Sequence, residues 1–79
     1  MEKLNKQVEE AIREAKIALE LEPVNPVMMR RLGSVYYYAR QYDLALKELN
    51  KCLEIDPGQR STYSWVFLAI IKMQCMMML

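Results

Sequence analysis

The chain repeats itself at a spacing of 34 residues, and no other property restricts its fold as tightly. Residues 8–23 lie over residues 42–57 with five of sixteen positions identical: Ala11/Ala45, Glu14/Glu48, Leu19/Leu53, Glu20/Glu54 and Pro23/Pro57. Five more keep size or charge: Glu9/Asp43, Ile12/Leu46, Arg13/Lys47, Leu21/Ile55 and Glu22/Asp56. A fixed period of this length belongs to stacked supersecondary units, each too small to bury its apolar face without a neighbour. What such a stack does depends on the surface it presents.

Apolar residues recur at steps of three and four throughout. Over residues 2–21 the set is Leu4, Val8, Ala11, Ile12, Ala15, Ala18 and Leu19, with Glu, Lys and Arg between them, which predicts an amphipathic helix. Pro23 ends it. Asn25 can cap the next helix, and Pro26 suits a first helical position, where its missing N–H has no partner to lose. That second helix is predicted over 26–39, with Met29, Leu32, Val35 and Tyr36 on one side. A turn at Arg40-Gln41-Tyr42 leads to a third helix over 43–55, whose apolar set is Leu44, Ala45, Leu46, Leu49, Cys52 and Leu53. Asp56-Pro57-Gly58 breaks the pattern, and a fourth helix is predicted over 60–77. No stretch alternates as a strand would. The expected class is all-α: a four-helix, antiparallel helix-hairpin solenoid.

Composition narrows the function classes. At 79 residues, 53% hydrophobic and 27% charged, this is one small globular domain, with a stability on the order of 3–5 kcal/mol. A net charge of +1, with basic residues interleaved among acids, gives no field to draw in nucleic acid. The absence of histidine removes the commonest general base and metal ligand. Cys52 and Cys75 have no CxxC spacing, so no zinc site or disulfide framework is expected, and two reduced thiols suit the cytoplasm. The acids at Glu9-Glu10, Glu20/Glu22 and Glu54/Asp56 sit among Lys and Arg on polar helix faces, where solvated pairing explains them better than general acid–base work. No enzyme activity and no cofactor are expected.

The central unit reads Met29-x2-Leu32-Gly33-x2-Tyr36, then Ala45-x3-Leu49, then Pro57. This resembles the tetratricopeptide repeat, W-x2-L-G-x2-Y followed by A-x3-F and P over about 34 residues, with Met29 and Leu49 in two aromatic positions. The resemblance implies the second helix of a first repeat over 2–22, a complete repeat over 26–59, and the first or a capping helix of a third over 60–79. Small residues are needed where two helix backbones approach, and Gly33, Ala45 and Cys52 supply them. Ala11, Ala15 and Ala18 would let the first helix lie close to its neighbour. One period on, Tyr63, Val66 and Ile70 stand over Met29, Leu32 and Tyr36, but Phe67 replaces Gly33.

The family resemblance further implies a concave groove lined by the first helix of each hairpin. Val27, Arg30, Ser34, Tyr37 and Tyr38 would face it, joined by Ser61, Ser64 and Leu68 from the next unit. A protein or peptide partner fits there, Tyr and Arg being common anchors of such interfaces. A clamp on a C-terminal carboxylate is not expected, because Ser34 and Trp65 stand where Asn or a base would be needed. Residues 65–79 carry only Lys72 and Gln74 as polar members, and a helix apolar all round should be covered all round. A further partner helix, or self-association through Trp65, Ile71, Met76 and Met77, would cover it. A membrane-held adaptor is the rival reading, although a span needs about 20 apolar residues. Locally, residues 36–43 are also similar to repeats attached to bacterial winged-helix transcription regulators, which would make the chain a sensing fragment.

Overall fold

The computed structural model describes residues 2–77, with side chains over 6–75. Four helices follow in order, α1 (Glu2–Leu21), α2 (Pro26–Tyr38), α3 (Tyr42–Ile55) and α4 (Arg60–Met77), and the described residues contain no strand. Each helix packs on the one before it, and α4 also touches α2. The all-α hairpin architecture expected from the sequence is the one observed.

Local chemistry sets the helix limits. The Asn25 side chain accepts a hydrogen bond from the Met28 N–H at 3.2 Å, and Pro26 occupies the first turn. The end of α2 is less obvious from sequence. Arg40 takes φ 64, a left-handed conformation that usually selects glycine. This lets the Gln41 N–H reach the Tyr36 carbonyl at 2.9 Å and the Arg40 N–H reach the Tyr37 carbonyl at 3.0 Å, a Schellman closure made with a cationic residue. Tyr42 belongs to α3 rather than to the turn.

The core runs along the α2–α3 hairpin. Met29, Leu32 and Tyr36 from α2 are buried together with Ala45, Leu49 and Cys52 from α3. Gly33 is the point of closest approach. A Cβ there would lie 2.6 Å from Leu49 Cγ and 3.3 Å from the Ala45 carbonyl oxygen. From α1 only Ala15 is fully buried among the described side chains, with Ile12 and Leu19 packed beside the core.

A buried polar knot ties three helices together. Cys52 Sγ donates to the Pro26 carbonyl at 3.1 Å and lies 3.5 Å from Thr62 Oγ1, which donates to Gln59 Oε1 at 3.2 Å. Thr62 is 0% exposed, yet nothing in the hydrophobic pattern singles it out. It is buried because α4 enters the stack over the end of α3, where a small side chain with a satisfied hydroxyl fits.

The fourth helix departs from the expectation that its apolar surface is covered all round. Among its described side chains only Thr62 and Ala69 are fully buried, while Tyr63, Phe67, Leu68, Ile70 and Ile71 are exposed. The reason is geometric: α4 has α3 and α2 on one side, and no described helix lies against the other. No described helix is long and apolar enough to cross a membrane.

Candidate functional site

Val27, Arg30, Ser34 and Tyr37 follow one another at steps of three and four, so they form a single stripe along α2. Ser61, Ser64 and Leu68 form the matching stripe on α4, 34 residues later. Contact between α2 and α4 brings these two helices side by side.

The two stripes are joined by aromatic rings. Tyr37 is the hub, with edge-on contacts to Tyr38 at 5.7 Å, Tyr42 at 5.4 Å and Trp65 at 5.5 Å. Tyr38 meets Trp65 at 5.6 Å. Edge-to-face rings at these distances attract one another beyond their buried area. Tyr37 is half-buried and also packs on the core, so part of its role is structural. Tyr38 remains 66% exposed and presents a ring and a hydroxyl to solvent.

The other groove positions divide by exposure. Val27, Ser61, Ser64 and Leu68 are open to solvent, whereas Arg30 and Ser34 are half-buried. Ser34 donates its hydroxyl to the Arg31 carbonyl at 2.7 Å, so its proton is used within its own helix and only its lone pairs face outward. The structure thus unites Tyr37 and Tyr38 with α4 through Trp65, and it gives Arg30 and Ser34 no hydrogen bond across to Ser61 or Ser64.

Two members of the aromatic cluster, Tyr42 and Trp65, were not assigned to the groove on sequence. Trp65 stands one period after Arg31, just as Thr62 and Ala69 stand one period after Met28 and Val35. This second face of α4, distinct from the one carrying Phe67, meets the preceding hairpin. The repeat register contains that signal once two buried faces, rather than one, are sought on each such helix. Of the residues proposed for self-association, Trp65 is half-buried in this cluster, Ile71 is exposed, and the Met76 and Met77 side chains lie outside the described residues.

A second concavity, of about 350 Å³, lies between α1 and α3. Met29, Leu32 and Tyr36 line it together with Lys16, Glu20, Glu48 and Lys51. Lys51 and Glu48 pair at 3.5 Å. Among the described residues no three His, Cys, Asp or Glu side chains come together in a way that could hold a metal ion.

Residues 28–59, the span of the α2–α3 hairpin, match the tetratricopeptide repeat family. No curated protein matches the chain.

Proposed function

Taking the tetratricopeptide repeat at 28–59 as the premise, we propose that this domain is a non-catalytic binding module that holds a peptide or helix of a protein partner along α2 and α4. Repeats of this family serve protein interaction in general, and the finer assignment rests on one observation: the exposed Tyr38 ring meets Trp65 at 5.6 Å, where α2 and α4 touch. A rigid aromatic ledge offers contact area at low conformational cost. Arg30 and the serines beside it supply hydrogen bonds that orient the bound chain.

In this reading residues 2–22 complete a first repeat and residues 60–79 begin a third, so the groove spans the junction of two units. A reducing, cytoplasmic setting suits the two free thiols, Cys52 and Cys75. The test is a selection of binders from a displayed random-peptide library on the wild-type chain. The selected peptides should then lose at least tenfold in affinity for Arg30→Ala combined with Tyr38→Ala. Tyr38 is chosen over Tyr37 because Tyr37 packs on the core. Equal affinity for both forms removes the groove assignment.

A further inference from the structure

In the α2–α3 hairpin a glycine faces a leucine: Gly33 has no side chain, and Leu49 fills the space in front of it, 0% exposed. Thirty-four residues away the pair is exchanged. Phe67 takes the place of Gly33 on α4, and Ala15 takes the place of Leu49 on α1. A helix carrying Leu at the Ala15 position could not close on Phe67, and a helix carrying Ala opposite Gly33 would leave a void. Large opposite small conserves volume in either order.

Phe67 stands at an open surface, whereas Ala15 is buried, 3% exposed, and lines a pocket between α1 and α2. Phe67 is 66% exposed. On α1, Ala11, Glu14, Ala15 and Ala18, with Met28 and Arg31 from α2, enclose a cavity of about 140 Å³. One period later the same register is Ala45, Glu48, Leu49 and Cys52, with Thr62 and Trp65, and Leu49 occupies the corresponding space. The void beside Ala15 is the one a leucine would have filled. A cavity of about 150 Å³ accepts a benzene ring, so the phenyl group of one phenylalanine fits.

Charge agrees with shape. The described part of α4 carries Arg60 and Lys72 and no acid, whereas residues 14–22 carry Glu14, Glu20 and Glu22 against the single base Lys16. In the α2–α3 hairpin the start of one helix lies beside the end of the other, as the Cys52–Pro26 contact shows. The same arrangement would set Arg60 beside Ala18 and near Glu22.

We propose that a second copy of this chain covers α4, its α1 lying on α4 as α3 lies on α2, with Phe67 entering the cavity beside Ala15 of that copy. The α4–α1 pair then completes a hairpin between copies and continues the helix stacking already present within one chain. The contact joins two different surfaces, so it is heterologous and propagates instead of closing as a two-fold dimer. Ser64 and Leu68 of the peptide groove border Phe67 on α4, but stacking is read by mass and the groove by peptide affinity, so either can fail without the other.

Sedimentation velocity of the full chain tests this, with helicity followed by circular dichroism. The wild-type mass should rise with concentration past dimer without a plateau. Ala15→Leu and Phe67→Gly should each remain monomeric alone. Phe67→Glu, a strong helix former at an exposed site, serves as a second variant blocked on α4. Mixing Ala15→Leu with Phe67→Glu should give a one-to-one dimer, because one intact Phe67 then meets one intact Ala15, whereas mixing it with Phe67→Gly should grow past dimer, because the introduced leucine of one chain then meets the introduced glycine of the other. The double variant Ala15→Leu with Phe67→Gly, which rebuilds the Gly33–Leu49 combination, should recover concentration-dependent growth. A wild type that stays monomeric to sub-millimolar concentration overturns the proposal. So does an Ala15→Leu chain that still dimerises, since α4 would then be pairing with another α4.

Discussion

Gly33→Ala sets two well-characterised effects against each other. Alanine in a helix interior is favoured over glycine by about 1 kcal/mol, so propensity alone predicts a more stable protein. The new Cβ, however, would sit 2.6 Å from Leu49 Cγ and 2.7 Å from Leu49 Cδ2. Cγ is the branch point of a side chain that is completely buried, so it cannot swing into solvent, and the Ala45 carbonyl at 3.3 Å blocks movement of the methyl along α3. Overpacking of this kind costs about 1–3 kcal/mol, leaving a net loss of about 1–2 kcal/mol after the propensity gain. Against a total on the order of 3–5 kcal/mol, this is a large fraction. Urea denaturation followed by circular dichroism, at concentrations where the chain is monomeric, should show a lower midpoint with an unchanged slope. Leu49→Ala supplies the control. It should cost about 3 kcal/mol in the wild type and clearly less in the Gly33→Ala background, where the methyl has gained room, so the two changes should couple favourably by about 1 kcal/mol or more. A raised midpoint for Gly33→Ala, or strict additivity with Leu49→Ala, would show that the hairpin is not limited by this contact.

Two further changes probe the ends of the helices. Thr62→Val keeps shape but removes the hydroxyl that donates to Gln59 and borders Cys52, so it should lower stability by about 1–2 kcal/mol in the same urea assay; no change would mean that the knot is dispensable. Arg40→Gly relieves a left-handed residue at φ 64 and should raise stability by about 0.5–1 kcal/mol, the added freedom of the unfolded chain offsetting part of the gain. A loss instead would assign the Arg40 side chain a stabilising contact that outweighs its backbone strain.

Much of the fold could be read directly. Pro23, Pro26 and Pro57 marked the breaks because proline cannot sit inside a helix without losing a hydrogen bond, and Asn25 capped α2 as its chemistry predicts. The Gly33–Leu49–Ala45 contact was legible from the motif spacing. The groove residues were only partly legible. Helical spacing placed Val27, Arg30, Ser34 and Tyr37 on one stripe, but it could not show that Tyr37 is half-buried among three other aromatic rings. Trp65 is far from that stripe in sequence, and Tyr42, five residues after Tyr37, belongs to the next helix, so only the closure of the α2–α3 turn brings it back. The buried Thr62 and the closure at Arg40 escaped for a similar reason: a hydroxyl or a guanidinium gives no apolar signal, and its burial or backbone conformation depends on what arrives from elsewhere in the chain.

The 34-residue period, the breaks and the alternation of small and large side chains follow from covalent chemistry and local sterics, so sequence alone determined four helices and their order of stacking. Which faces of those helices meet each other, and which meet only solvent, depends on the angle at which one hairpin sits against the next. That angle results from many side chains packing at once, so tertiary structure alone decided that Trp65 joins the tyrosines while Phe67, two residues on, stays uncovered.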